Sequence, residues 1–170
     1  MLEEAVILAI DPGVHGAFAL YSPNDPYTVQ VQDVPTLKVK VAKRTRNQPD
    51  LHRMHAYFTS VAMLSPTHVI CEEPHSMPHD GVVQAFTLGH CCGAIQAFIT
   101  GLGCPVTYIR PNAWKLAMRL TGDKDLSRKR ASQLFPQGAW QWERVRDDGR
   151  AEAALLAYYF VHLGGSHAIR

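Results

Sequence analysis

The sequence predicts an α/β fold on a mixed five-stranded sheet: an antiparallel three-strand meander plus two parallel strands, flanked by helices. Three observations predict it. Short apolar runs rich in β-branched residues alternate with stretches of helical spacing. The first three runs, within residues 5–34, are joined by turns too short for a helix, as antiparallel neighbours are. The run at 68–72 follows a helix-length stretch, and such a crossover favours parallel pairing with the first strand.

Residues 5–10 are six consecutive apolar residues, suited to a strand buried on both faces. Asp11, Pro12 and Gly13 end it, because proline cannot extend a central ladder and glycine permits a sharp turn. An acid thus stands at the mouth of a core strand, as a turn or cap residue or as one member of a larger cluster. Residues 16–22 form the second strand. Asn24, Asp25 and Pro26 mark a turn. In residues 27–34, Tyr27, Val29 and Val31 alternate with Thr28, Gln30 and Gln32, a half-exposed third strand.

Residues 37–46 carry Lys38, Lys40, Lys43, Arg44 and Arg46. A solvated connecting arm and a phosphate-contacting arm both fit this charge run. Residues 50–64 place Leu51, Met54, Phe58 and Val61 at helical spacing behind a capping Asp50. The strand at 68–72 ends in Glu72, as the first ends in Asp11, so parallel neighbours would bring the two acids to one edge of the sheet. Glu73 would alternate away.

Residues 74–81 read as loop. Residues 82–100 form a long apolar helix without charge, which needs cover on more than one side. Gly89 and Gly93 share a face and permit close approach, within the domain or at a subunit interface. Residues 105–109 are the last strand. Helices follow at 112–120, with Trp114 and Lys115, and at 127–134, rich in Lys and Arg. Residues 135–146, with two tryptophans, read as irregular. The final helix begins near Asp147 and runs to about His162. Asp148 and Glu152 are four apart and share a face. A cap explains one acid near the helix start, but not Glu152 within an apolar stretch.

The 170 residues suit one domain, 1–170, and 46% apolar content supplies a sizeable core. The formal charge is only +2, so basic surface for an anionic partner must be local. No apolar run approaches the ~20 residues of a membrane span, and no signal layout opens the chain. Cys71, Cys91, Cys92 and Cys104 lack CxxC spacing. Buried thiols in a reducing compartment are favoured over a zinc site with His75, His79 or His90.

Acids at two strand ends and two on one helical face form a candidate carboxylate cluster. Such a cluster cannot stay ionised in a small space without cations. Magnesium or manganese suits all-oxygen ligands, and two such ions ~4 Å apart promote phosphodiester cleavage.

With these residues in place, the sequence resembles the RuvC-like Holliday-junction resolvases of the ribonuclease-H-like nucleases, most closely the branch of the plant chloroplast resolvases. The resemblance lies in Ile10-Asp11-Pro12 with Gly16-Ala17, and in Glu72 with Pro78-His79-Asp80-Gly81. It continues through Trp114-Lys115, Ser127-Arg128, Ala131-Ser132, Leu134-Phe135-Pro136 and Gly149-Arg150-Ala151-Glu152-Ala153. The resemblance implies metal-dependent paired cleavage of four-way DNA junctions. It implies Asp11, Glu72 and Glu152 as metal-holding acids, and Asp148 as ligand or base where the plant branch can carry histidine. It also implies Lys124 near the scissile phosphate, and a homodimer, for which helix 82–100 is the candidate interface. Lys43, Arg44, Arg46, Gln84, Phe86, Lys115 and Arg128 are the candidate DNA contacts. The polar residues with which the plant branch reads bases are mostly absent from 82–86, so its sequence preference does not carry over. The expected setting is soluble, intracellular and DNA-associated: a bacterial or phage cytoplasm, or an organelle.

Two other classes compete. A ribonuclease H or integrase-like nuclease would keep the metal chemistry and change the substrate. A non-catalytic junction-binding protein would keep the fold, but a pure binder has no need of a repulsive acid cluster. A sugar-kinase-like reading fits Asp-Pro-Gly but lacks room for a second domain.

Overall fold

The computed structural model describes residues 5–41, 43–74, 81–120 and 124–164, with the side chains of Val41 and Lys124 left aside. Strands β1 (Ile7–Asp11), β2 (Ala17–Tyr21) and β3 (Val29–Asp33) form the meander. A two-stranded ribbon of β4 (Thr36–Val41) and β5 (Arg44–Pro49) follows. Next come α1 (Leu51–Met63), β6 (His68–Glu72), α2 (Val82–Gly101) and β7 (Val106–Ile109). Helices α3 (Pro111–Ala117), α4 (Lys124–Leu134) and α5 (Asp148–His162) complete the fold. The main sheet has the order β3-β2-β1-β6-β7, antiparallel from β1 to β3 and parallel from β1 to β7.

Alternation along β1 explains the layers. Ile7 and Ala9 face a core closed by α5, with Trp114 of α3 and Ala131 of α4. Leu8 and Ile10 face the opposite core, closed by α1 and α2 through Met54, Phe58, Val61, Cys91, Ile95 and Ile99. Asp50 caps α1 by accepting from the Arg53 amide at 3.1 Å, as its position predicts. The free edge of β3 is covered by one side chain. Gln141 accepts from the Val31 amide at 3.0 Å and donates to the Val29 carbonyl at 2.8 Å, imitating one more strand.

Several sequence expectations change. Residues 37–46 are not a plain connecting arm: they pair as the β4–β5 ribbon, with Val39 opposite Arg46 and Lys40 opposite Thr45. Residues 135–146 contain two 3-10 segments, at Pro136–Trp142 and Val145–Asp147. Cys104 is half-buried just before β7, and Cys71, Cys91 and Cys92 are buried free thiols, as favoured. Burial pushes the Cys91 thiol up to about 11 and Cys92 to about 12, so neither is a ready thiolate. Helix α2 corrects the expectation about apolar length, since its 20 residues suffice to cross a membrane by length and composition alone. Here it lies against the sheet, burying Cys91, Cys92, Ile95 and Ile99 and leaving its other face uncovered by the described residues. Residues 75–80 and 121–123, which include His75, His79 and Asp80, lie outside the described residues.

Candidate active site

The site forms where β1 and β6 end together. The register pairs Ile10 with Cys71, so Asp11 and Glu72 are the next residues in line at one sheet edge. Glu73 leaves that edge, is exposed, and accepts from Arg110 Nε at 3.3 Å. The β1–β2 turn is closed by the Gly16 amide donating to the Gly13 carbonyl at 3.1 Å. A Cβ on Gly16 would stand 1.9 Å from the Asp11 carbonyl oxygen, so a side chain there is excluded.

Helix α5 delivers the other two acids, and its first turn is anchored on three sides. A Cβ on Gly149 would lie 2.4 Å from the His15 carbonyl oxygen and 3.2 Å from Asp11 Oδ2, so only glycine lets the helix start this close to β1. Arg150 grips Asp33 with two hydrogen bonds of 2.6 Å and donates to the Gln141 carbonyl at 3.0 Å. Asp147 is buried and takes two 2.8 Å hydrogen bonds from Arg144. Those bonds hold its carboxyl below the usual range. Asp147 is therefore a structural anchor, while Asp148 and Glu152 turn into the cleft with Asp11.

Glu72 and Glu152 are held by residues the sequence alone did not assign to them. The buried Trp114 indole donates to Glu72 Oε2 at 2.7 Å. Ser127 Oγ donates to Glu152 Oε1 at 3.2 Å, and Lys115 Nζ lies 2.9 Å from Glu152 Oε2. Trp114 and Ser127 sit in the motif blocks, but only tertiary contact reveals what they hold. Asp11 is pushed well above the usual carboxylate range, first by burial and then by the charges of Glu72, Glu152 and Asp148, against a smaller opposing effect of Lys115. Burial works against the Lys115 ammonium, but Glu152, Glu72 and Asp11 together more than offset it and the net shift is upward. The acids thus repel one another, and Lys115 supplies an internal counter-charge.

The donor set is all oxygen, which suits a hard divalent cation. No three His, Cys, Asp or Glu side chains among the described residues converge closely enough to hold an ion as they stand. At Glu152 both carboxylate oxygens are already engaged, one by Ser127 and the other by Lys115. The residues fit a metal by chemistry, provided that Lys115 yields its place.

Asp11, Asp148 and Glu152 open onto a cleft of about 880 Å³, walled by residues 44–47 of β5 and by Val83, Gln84, Thr87 and Leu88 of α2. Arg44, Arg46 and Gln84 therefore share one cleft with Asp11, Asp148 and Glu152. Lys43 is exposed in the ribbon turn. Phe86 is 71% exposed beside His90 and is not part of the cleft wall. Arg128 is engaged within the chain, pairing with Asp125 and donating to the Glu143 carbonyl at 3.2 Å. Lys124 opens α4.

Fold and site together define a ribonuclease-H-like α/β chain with an acidic cleft at the end of its two central parallel strands. Thermus thermophilus RuvC, solved in complex with a Holliday junction substrate, has this fold with a TM-score of 0.60 and 18% identity, covering 94% of this chain and 96% of that one. A second Thermus thermophilus RuvC structure aligns with a TM-score of 0.56 at 17% identity over the same shares. The yeast mitochondrial Holliday junction resolvase Ydc2 aligns with a TM-score of 0.53 at 13% identity, over 91% of this chain and 76% of that one. No family model matches the sequence, and neither does any curated protein.

Proposed function

We propose that the chain is a divalent-metal-dependent endonuclease that resolves four-way DNA junctions. The observation that carries this reading is the meeting of acids from β1 and α5 in one cleft, beside the β6 acid, in a fold shared with junction resolvases. Asp11, Glu72, Asp148 and Glu152 are the oxygen donors for Mg²⁺, with Mn²⁺ able to substitute and two ions per site. Bound there, such ions supply an activated water and stabilise the leaving oxygen. The chain's own residues orient the donors: Trp114 fixes Glu72, Ser127 fixes Glu152, and Gly149 sets the spacing of α5 from Asp11. Lys124 is proposed near the scissile phosphate. Lys43, Arg44, Arg46, Gln84 and Phe86 are proposed DNA contacts, with Lys115 and Arg128 released from their partners if they join them.

A homodimer through α2 belongs to the same reading. Val82, Phe86, Gly89 and Gly93 lie along an exposed face, and an added Cβ on either glycine meets nothing within 4 Å. The likeness to the chloroplast branch rests on the sequence blocks alone. The test is cleavage by the purified chain in Mg²⁺, comparing a fixed four-way junction with linear duplex and an RNA–DNA hybrid. Paired nicks confined to the junction, lost in Asp11→Asn with binding retained, are expected. Preference for the hybrid, or cleavage surviving Asp11→Asn, would overturn the reading.

A further inference from the structure

The cleft that holds the acids has an opposite wall of contrary charge. Residues 44–47 of β5 all line it, consecutive and therefore from both faces of the strand, so β5 meets the cleft along its outer edge. An edge strand presents N–H groups that its ribbon partner does not use. Arg44 and Arg46 pair with Val41 and Val39, which puts both on one face of the ribbon, ~6.6 Å apart along the strand. Five other arginines, Arg53, Arg110, Arg128, Arg144 and Arg150, each pair with a carboxylate, while Arg119, Arg130 and Arg146 lie away from this cleft. Among the described residues no carboxylate pairs with Arg44 or Arg46. Positive charge left uncompensated on an edge that shares a cleft with Asp11, Asp148 and Glu152 is a site for a polyanion threaded between the two walls.

We infer that β5 is a jaw gripping the backbone of the strand to be cut, with Arg46 and Asn47 holding the phosphates that flank the one at the acids. This rests on the nuclease reading and deepens it. Two divalent ions would at most balance the acids, so the phosphates on either side of the scissile one need charge and donors from the other wall. The grip therefore acts on the cleavage step as well as on affinity, because it sets how the scissile phosphate meets the acids. Lys38 and Lys40 are the internal comparison. They carry equal charge in the same ribbon, but on β4, outside the cleft wall.

The experiment measures affinity for a four-way junction across a salt series, and single-turnover cleavage in Mg²⁺ at saturating protein. The double variant Arg44→Ala/Arg46→Ala is expected to lose affinity and to cleave at least about tenfold more slowly at saturation. Lys38→Ala/Lys40→Ala is expected to lose affinity at most, with an unchanged saturated rate. Arg46→Lys should restore part of the rate, and Asn47→Ala should slow it without flattening the salt slope. If both double variants cleave at the wild-type rate once saturated, β5 is a distant arm and the inference falls while the nuclease reading stands. If the wild type binds the junction but never cleaves it, both fall. Should the arginine double variant fail to fold, Arg46→Gln and Asn47→Ala provide the same comparison of rate against affinity.

Discussion

Gly149→Ala tests whether the start of α5 sets the geometry of the site. The added methyl would lie 2.4 Å from the His15 carbonyl oxygen, 3.2 Å from Asp11 Oδ2 and 3.2 Å from Gly16 Cα, where ordinary contact begins at 3.4 Å. The closest of these is backbone in a tight turn, so α5 must retreat by about 1 Å, carrying Asp148 and Glu152 away from Asp11. Helix propensity favours alanine by about 1 kcal/mol. Overpacking against a rigid neighbour costs about 1–3 kcal/mol. The net loss of stability is therefore small, about 0–2 kcal/mol from those two ranges. A misplacement of ~1 Å costs on the order of a hundredfold in rate. The expected variant is folded and junction-binding, with single-turnover cleavage down on the order of a hundredfold. Thermal unfolding run beside the cleavage assay separates the two effects. A wild-type rate in the folded variant would refute the claim that this contact sets the site. A variant too unstable to fold would show that the contact belongs to the core instead.

Lys115→Met should lower the melting temperature in EDTA, because Glu152 loses its counter-charge, and should enlarge the stabilisation that Mg²⁺ brings; equal Mg²⁺-induced shifts in variant and wild type would show that Lys115 does not compete for the ion's place. Asp147→Asn should cost about 1–3 kcal/mol of stability through the charged hydrogen bonds from Arg144. The lowered carboxyl of Asp147 adds stability above its unfolded value that is lost as pH falls through the folded one, so the variant should show a shallower acid limb in a pH series of unfolding, with saturated cleavage near normal. Gly89→Ala should stabilise an isolated chain by up to ~1 kcal/mol but weaken self-association in sedimentation if α2 packs closely on a second copy; unchanged association would move the interface elsewhere.

The sheet was legible in the sequence because its signals are local. The apolar run before Asp11 and the alternation from Tyr27 declare strands within a few residues, and the spacing of Leu51, Met54 and Phe58 declares a helix. The acids at the strand ends were legible for the same reason. Strand direction follows from connection length, and direction alone brings Asp11 and Glu72 to one edge. Four-residue spacing likewise put Asp148 and Glu152 on one helical face, whereas the engagement of Asp147 by Arg144 came only with the structure.

What the tertiary structure alone decided are contacts between residues far apart in the chain. Trp114 on Glu72, and Lys115 and Ser127 on Glu152, join α3 and α4 to β6 and α5 across 25 to 42 residues. No local spacing encodes such separations. The ribbon at 36–49 escaped because its alternation is carried by Lys and Arg, and a strand patterned by charge reads like a solvated linker. Its place opposite the acids depends on how β5 packs beside α2, a non-local outcome. Periodicity along the chain determines which residues face inward. Only packing determines which of those inward faces meet.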